Sequence, residues 1–213
     1  SIINSSGLKC VFQPSCPQTV PTVIDGFLKD TTLRVLRISM MNLPFANNAR
    51  EIVVNALGRY LLDMARKDAF KTMPIVVFLD EAHQFLNKQL GNEEFRSRLD
   101  AFGLIAKEGR KYGLCVCIAT QRPRDIPEDV LSQIGTLVVH RLINDRDREI
   151  VERASGEIDR SAAAFIPTLG PGEAIIVGVD FPVPFSIKVG MPRFTPESSG
   201  PDFQKHWKIM TEK

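Results

Sequence analysis

The chain has 213 residues, 44% hydrophobic and 24% charged, with a formal net charge of +2, the balance of one ordinary globular domain with a sizeable core. No run of eighteen apolar residues occurs, so no membrane-spanning helix is expected, and the N-terminus SIINSSGLKC lacks the basic segment followed by an apolar stretch that marks a secretory signal. So small a charge proves no nucleic-acid partner, and any basic surface is local or arises by repeating subunits around an axis.

In chain order, residues 1–32, with Pro14, Pro17 and Pro21, read as an irregular insertion or the leading segment of a truncated chain, since no Met begins it. LRVLRIS (33–39) predicts a strand, and residues 48–66 a helix with Val53, Leu57, Leu61 and Met64 at helical spacing. The apolar run 75–79 predicts a buried strand. A second amphipathic helix is expected over 93–111, with Phe95, Leu99, Phe102 and Ile105 on one face and Arg96, Arg98, Asp100, Lys107 and Arg110 off it, ended by Gly113.

LCVCIAT (114–120) predicts the next strand. Cys115 and Cys117 alternate to one side of it as core thiols, and neither they nor the pair Cys10 and Cys16 have zinc-site spacing, in keeping with a cytoplasmic chain. A short helix PEDVLSQ (127–133) and a strand TLVVHRL (136–142) follow, and Asn144 and Asp147 have the spacing of a helix cap and its partner. Such serial strand and helix units imply an α/β fold, a mostly parallel sheet with helices on both faces. EAIIVGV (173–179) and FSIKVG (185–190), joined by DFPVP, predict an antiparallel edge hairpin, and residues 191–213 an arm or tail.

The chemistry centres on PIVVFLDEAHQF (74–85). In open parallel sheets ligands sit beyond the carboxyl ends of the strands, where Asp80 and Glu81 fall. There the first carboxylate suits a magnesium ion held through water and the second a base for an attacking water, while the pair also suits a cap on the following helix. The next strand ends in Thr120 and Gln121. A neutral amide beside the carboxylates can report a γ-phosphate without adding charge. Arg110, in EGRKYG, reads either as a partner of its helix C-terminus or as a guanidinium supplied to a neighbour's nucleotide. His83 reads as a local hydrogen-bonding residue or a link from the nucleotide to the next loop. Lys88, in NKQLGN, reads as a solvated lysine or a contact to DNA phosphates in a pore, and Arg141 faces either the nucleotide or an adjacent subunit.

VVFLDEAHQFL, AKEGRKYGL, IATQRPRDIPEDVLSQIGTLVVHRLINDRDREIV and PGEAIIVG together resemble, in order and spacing, the HerA branch of the HerA/FtsK P-loop ATPases, over residues 33 to about 190. The resemblance implies the C-terminal part of a RecA-like motor domain in a homo-hexameric, ATP-driven, double-stranded-DNA translocase or helicase, often paired with a nuclease. It implies that Asp80 and Glu81 form the Walker B pair with Mg2+ on Asp80 through water. It further implies Gln121 as the sensor with Thr120 beside the nucleotide, and Arg110, or else Lys111, as the trans-acting finger. One departure stands out: G-x-x-x-x-G-K-[ST], whose amides and Lys cradle phosphates, occurs nowhere in these residues. Truncation accounts for it, so the parent is expected to be the enzyme and the fragment alone to hydrolyse little ATP. Two other readings are a ring scaffold for a partner enzyme and a secretion or conjugation ATPase of the same superfamily, the latter disfavoured by the lack of a membrane segment.

Overall fold

A computed structural model describes residues 18–44, 48–86, 89–90, 97–98, 100–156, 160–179 and 181–194. The first described element departs from the expected irregular segment. Val20–Lys29 form helix α1, begun by a capping box in which the Thr19 hydroxyl accepts from the Thr22 amide and Thr22 answers the Thr19 amide. Its Ile24 is buried in the main core.

Residues 33–40, expected to open with a strand, join no sheet. Leu36 and Met40 lie against the core, but Val35 is 82% exposed. An extended apolar run becomes a strand only where another strand satisfies its amides and carbonyls, and no described strand pairs with this one.

Helix α2 (Ala49–Arg66) matches its expected span and turns Val54, Leu61, Leu62 and Ala65 inward. Strand β1 (Ile75–Leu79) and helix α3 (His83–Leu86) follow, then two short strands, β2 (Gln89–Leu90) and β3 (Ser97–Arg98), paired antiparallel. Helix α4 (Ala101–Glu108) is shorter than predicted. It starts where Asn55 Oδ1 on α2 accepts the Ala101 amide at 3.1 Å, beside the ion pair Arg59–Asp100 at 2.6 Å. A tertiary partner thus sets the boundary that periodicity put earlier. A 3₁₀ turn, Gly109–Tyr112, ends at Gly113 in the left-handed conformation, as the sequence predicts.

Strand β4 (Leu114–Ile118) runs parallel to β1, Ile75 opposite Leu114 and Leu79 opposite Ile118. One face of this pair, Ile75, Val77, Leu79, Leu114, Val116 and Ile118, lies in the core with α2 and α4. On the other face Val76 and Phe78 are 51% and 75% exposed and Cys115 and Cys117 are exposed too. The expectation of core thiols is therefore corrected. The two cysteines do share one side of the strand, but among the described residues no element covers it. Cys10 and Cys16 lie outside the described residues.

Helix α5 (Glu128–Leu131) leads to β5 (Thr136–Val139), helix α6 (Asp145–Ser155), helix α7 (Arg160–Phe165), β6 (Glu173–Gly178) and β7 (Phe181–Lys188). The predicted hairpin is present as β6 and β7, with β7 resuming earlier than expected. Strand β5 also pairs antiparallel with β6 rather than extending the parallel sheet. A second core of Val139, Val151, Ala163, Ile166, Leu169, Ile175 and Val177 forms on this three-stranded unit. The fold class is α/β, as read from the sequence. Among the described residues no helix is long and apolar enough to cross a membrane.

Candidate active site

Strands β1 and β4 end together, and their loops stay bound past the last strand residues. The Ala119 amide donates to Leu79 O at 2.9 Å and the Ala82 amide to Ala119 O at 3.0 Å. This brings Asp80, Glu81 and His83 from one loop against Thr120 and Gln121 from the other.

Four polar contacts knit them. Gln121 Nε2 donates to Glu81 Oε1 at 3.0 Å. His83 Nδ1 lies 3.1 Å from Thr120 Oγ1 and 3.3 Å from Glu81 Oε2. The Glu81 amide donates to Asp80 Oδ1 at 3.0 Å. The Thr120 hydroxyl oxygen also accepts the Arg122 amide at 3.0 Å, which tightens the turn after β4.

Glu81 carries the strain of the site. Its φ of 50° lies in the left-handed region, a conformation that costs a residue with a Cβ about 1–2 kcal/mol. Although its side chain is 35% exposed, Oε2 is enclosed and makes no hydrogen bond. An enclosed carboxylate oxygen without a full hydrogen bond is held at a cost, and His83 Nδ1 at 3.3 Å is the neighbour placed to offset it.

Asp80 is exposed, and beyond the bond from Glu81 no described residue pairs with it. Among the described residues no cluster of three or more His, Cys, Asp or Glu could cage a metal. Magnesium asks for less: it keeps several waters and takes one or two carboxylates plus phosphates. Asp80 fits that role through a water, whereas nothing in the chain offers the glycine-rich phosphate cradle.

Arg110 stands at the opposite end of the pair, in the turn before β4, exposed like Lys111. Five strand residues separate that end from Glu81, roughly 16 Å at about 3.3 Å per residue. The structure therefore does not bring Arg110 to its own chain's carboxylates. Arg141 is exposed after β5, and no described strand-end group pairs with it. Lys88 lies outside the described residues.

The sequence reading missed what holds the Gln121 loop. Asp147, only 6% exposed, accepts the Arg124 amide at 3.2 Å and pairs with the Arg124 guanidinium at 3.7 Å. It was expected to close a capping box with Asn144. Asn144 does cap α6 by accepting the Arg146 amide at 3.0 Å, but Asp147 serves the loop after β4 instead. No local signal distinguishes the two uses of that carboxylate.

Residues 66–192, more than half of the chain, match the helicase HerA-like C-terminal family. The chain belongs to that family. Among relatives of this HerA-like chain, the DNA double-strand break repair helicase HerA of Pyrococcus furiosus is 37% identical over 116 residues, 54% of this chain and 20% of the relative. That of Saccharolobus solfataricus is 32% identical over 171 residues, 78% of this chain and 33% of the relative. The HerA-like chain thus spans about a fifth to a third of the length of these relatives. The genome packaging NTPase B204 of Sulfolobus turreted icosahedral virus 2, solved with ATP-gammaS, is similar at a TM-score of 0.50 and 19% identity. It covers 64% of this chain and 62% of its own, a likeness of fold.

Proposed function

We propose that this chain is the C-terminal portion of an ATP-driven double-stranded-DNA translocase or helicase, a homo-hexamer that hydrolyses ATP between subunits and works with a nuclease. The observation that carries the reading is the hydrogen bond from Gln121 to Glu81, which joins the ends of two adjacent parallel strands into one polar site. The names of the helicase relatives from two archaea support DNA as the substrate.

In this reading Glu81 takes a proton from the attacking water, and Gln121 orients that water or the γ-phosphate. Asp80 holds Mg2+ through water, the ion neutralising charge on the phosphates, and Thr120 borders the nucleotide. Arg110, on an end of the pair remote from its own Glu81, serves a neighbouring subunit's nucleotide as a planar and permanent positive charge. Its distance from Glu81 supports action in trans. Lys88 contacts DNA phosphates, independent of sequence.

The test is steady-state ATP hydrolysis by the full-length protein, wild type against Glu81→Gln, with and without linear double-stranded DNA. Turnover should rise with DNA and fall about 10²- to 10⁴-fold in the variant, with ATP affinity kept. DNA-independent turnover would favour the secretion or scaffold readings, and turnover that survives Glu81→Gln would remove Glu81 as the base.

A further inference from the structure

We infer that Gln121, His83 and Thr120 latch Glu81 in a resting position that must open before ATP is hydrolysed, so that His83 governs turnover in the absence of DNA. The inference rests on the ATPase reading and adds its regulation. A general base must offer a lone pair to a water held in line with the phosphate. Here one oxygen of Glu81 already takes the Gln121 amide proton at 3.0 Å, and the other is enclosed.

The latch is built from breakable parts. A single His83 nitrogen faces two oxygens, Thr120 Oγ1 at 3.1 Å and Glu81 Oε2 at 3.3 Å. With its proton on Nδ1 the ring can lean to either, and so ties the β1 loop to the β4 loop. Thr120 Oγ1 is itself fixed by the Arg122 amide, which gives His83 a stationary anchor. The left-handed Glu81 backbone stores strain that a swing of this residue relieves. His83 also begins α3, so a shift of that helix moves the His83 ring with it. In this role His83 is a positioning residue.

The experiment measures kcat and KM for ATP in the full-length protein with and without linear double-stranded DNA, for wild type, His83→Ala, His83→Asn and Glu81→Gln. His83→Ala should raise DNA-independent kcat about five- to tenfold, the factor for one released hydrogen bond, leave KM unchanged and shrink the DNA stimulation to match. His83→Asn, whose amide can replace the Nδ1 donor, should return both towards wild type. Equal loss of turnover with and without DNA in both His83 variants, or no change in either, overturns the latch while Glu81→Gln still upholds the ATPase reading. If Glu81→Gln leaves turnover intact, Glu81 is not the base and the latch falls with it; if no protein hydrolyses ATP, the ATPase reading has failed. The latch is then decided by crystal structures with and without AMP-PNP and DNA: a broken Gln121–Glu81 contact on binding supports it, and a contact intact in every state overturns it.

Discussion

The two ends of the β1–β4 pair are held by opposite means. At the end where the strands begin, backbone fits against backbone. Gly113, at φ +75°, approaches so closely that an added Cβ would stand 2.2 Å from Phe70 O, and one on Gly109 would stand 2.4 Å from Leu114 O. Phe70 is fully buried there, and Ile75 N donates to Gly113 O at 2.9 Å. At the other end, side chains hold side chains through Gln121, His83, Thr120 and the strained Glu81. A backbone fit has one arrangement, whereas hydrogen bonds between side chains can exchange partners. In the proposed function the first end offers Arg110 to a neighbouring subunit, and the second holds the groups that change state through a cycle.

Arg110→Ala tests the functional half of that contrast and carries the largest expected effect. Turnover should fall about 10³- to 10⁵-fold, with urea unfolding unchanged because the side chain is exposed. Mixing these subunits with Glu81→Gln subunits should restore activity, since each spoils a different half of a shared site. Loss from Lys111→Ala in place of Arg110→Ala would transfer the role to its neighbour.

Gly113→Ala attacks the rigid end itself. The clash with Phe70 O and the left-handed backbone should lower the unfolding free energy by about 2–4 kcal/mol in urea. A smaller loss than the next variant shows would mean that this end yields more easily than its packing implies. Asp147→Ala loosens the polar end by leaving the Arg124 amide without its acceptor. It should cost about 1–3 kcal/mol and raise hydrogen exchange in residues 121–126 above that in 109–113. Least of all, Thr32→Val acts at neither end. The Thr32 hydroxyl, then its amide, hold the Asp30 carboxyl below its ordinary value. A carboxylate so lowered contributes stability above its ordinary value and loses it as pH falls through the folded one. An acid titration of stability should show that small contribution shrink in the variant.

The sequence made β1, α2 and the β6–β7 hairpin legible through an apolar run, a helical period and a turn signal, but it read β1 as buried where Val76 and Phe78 are exposed. It misjudged residues 33–39 and the direction of β5, since an apolar run does not say which strand will pair with it or how. The start of α4 was hidden for a related reason: Asn55, on another helix, caps it. At the site, the proximity of Glu81 and Gln121 was readable as the ends of two neighbouring strands. The left-handed Glu81 and the His83–Thr120 contact were not, because both depend on how two loops lean on each other.

The side of the β1–β4 pair that no described element covers makes the molecule its own reporter. Cys115 and Cys117 stand exposed beside Val76 and Phe78, opposite them in register, so a water-soluble alkylating reagent meets both thiols directly. Their labelling rate in this chain, set against their rate in the full-length protein, turns coverage of that surface into a chemical footprint read by mass, with no mutation needed.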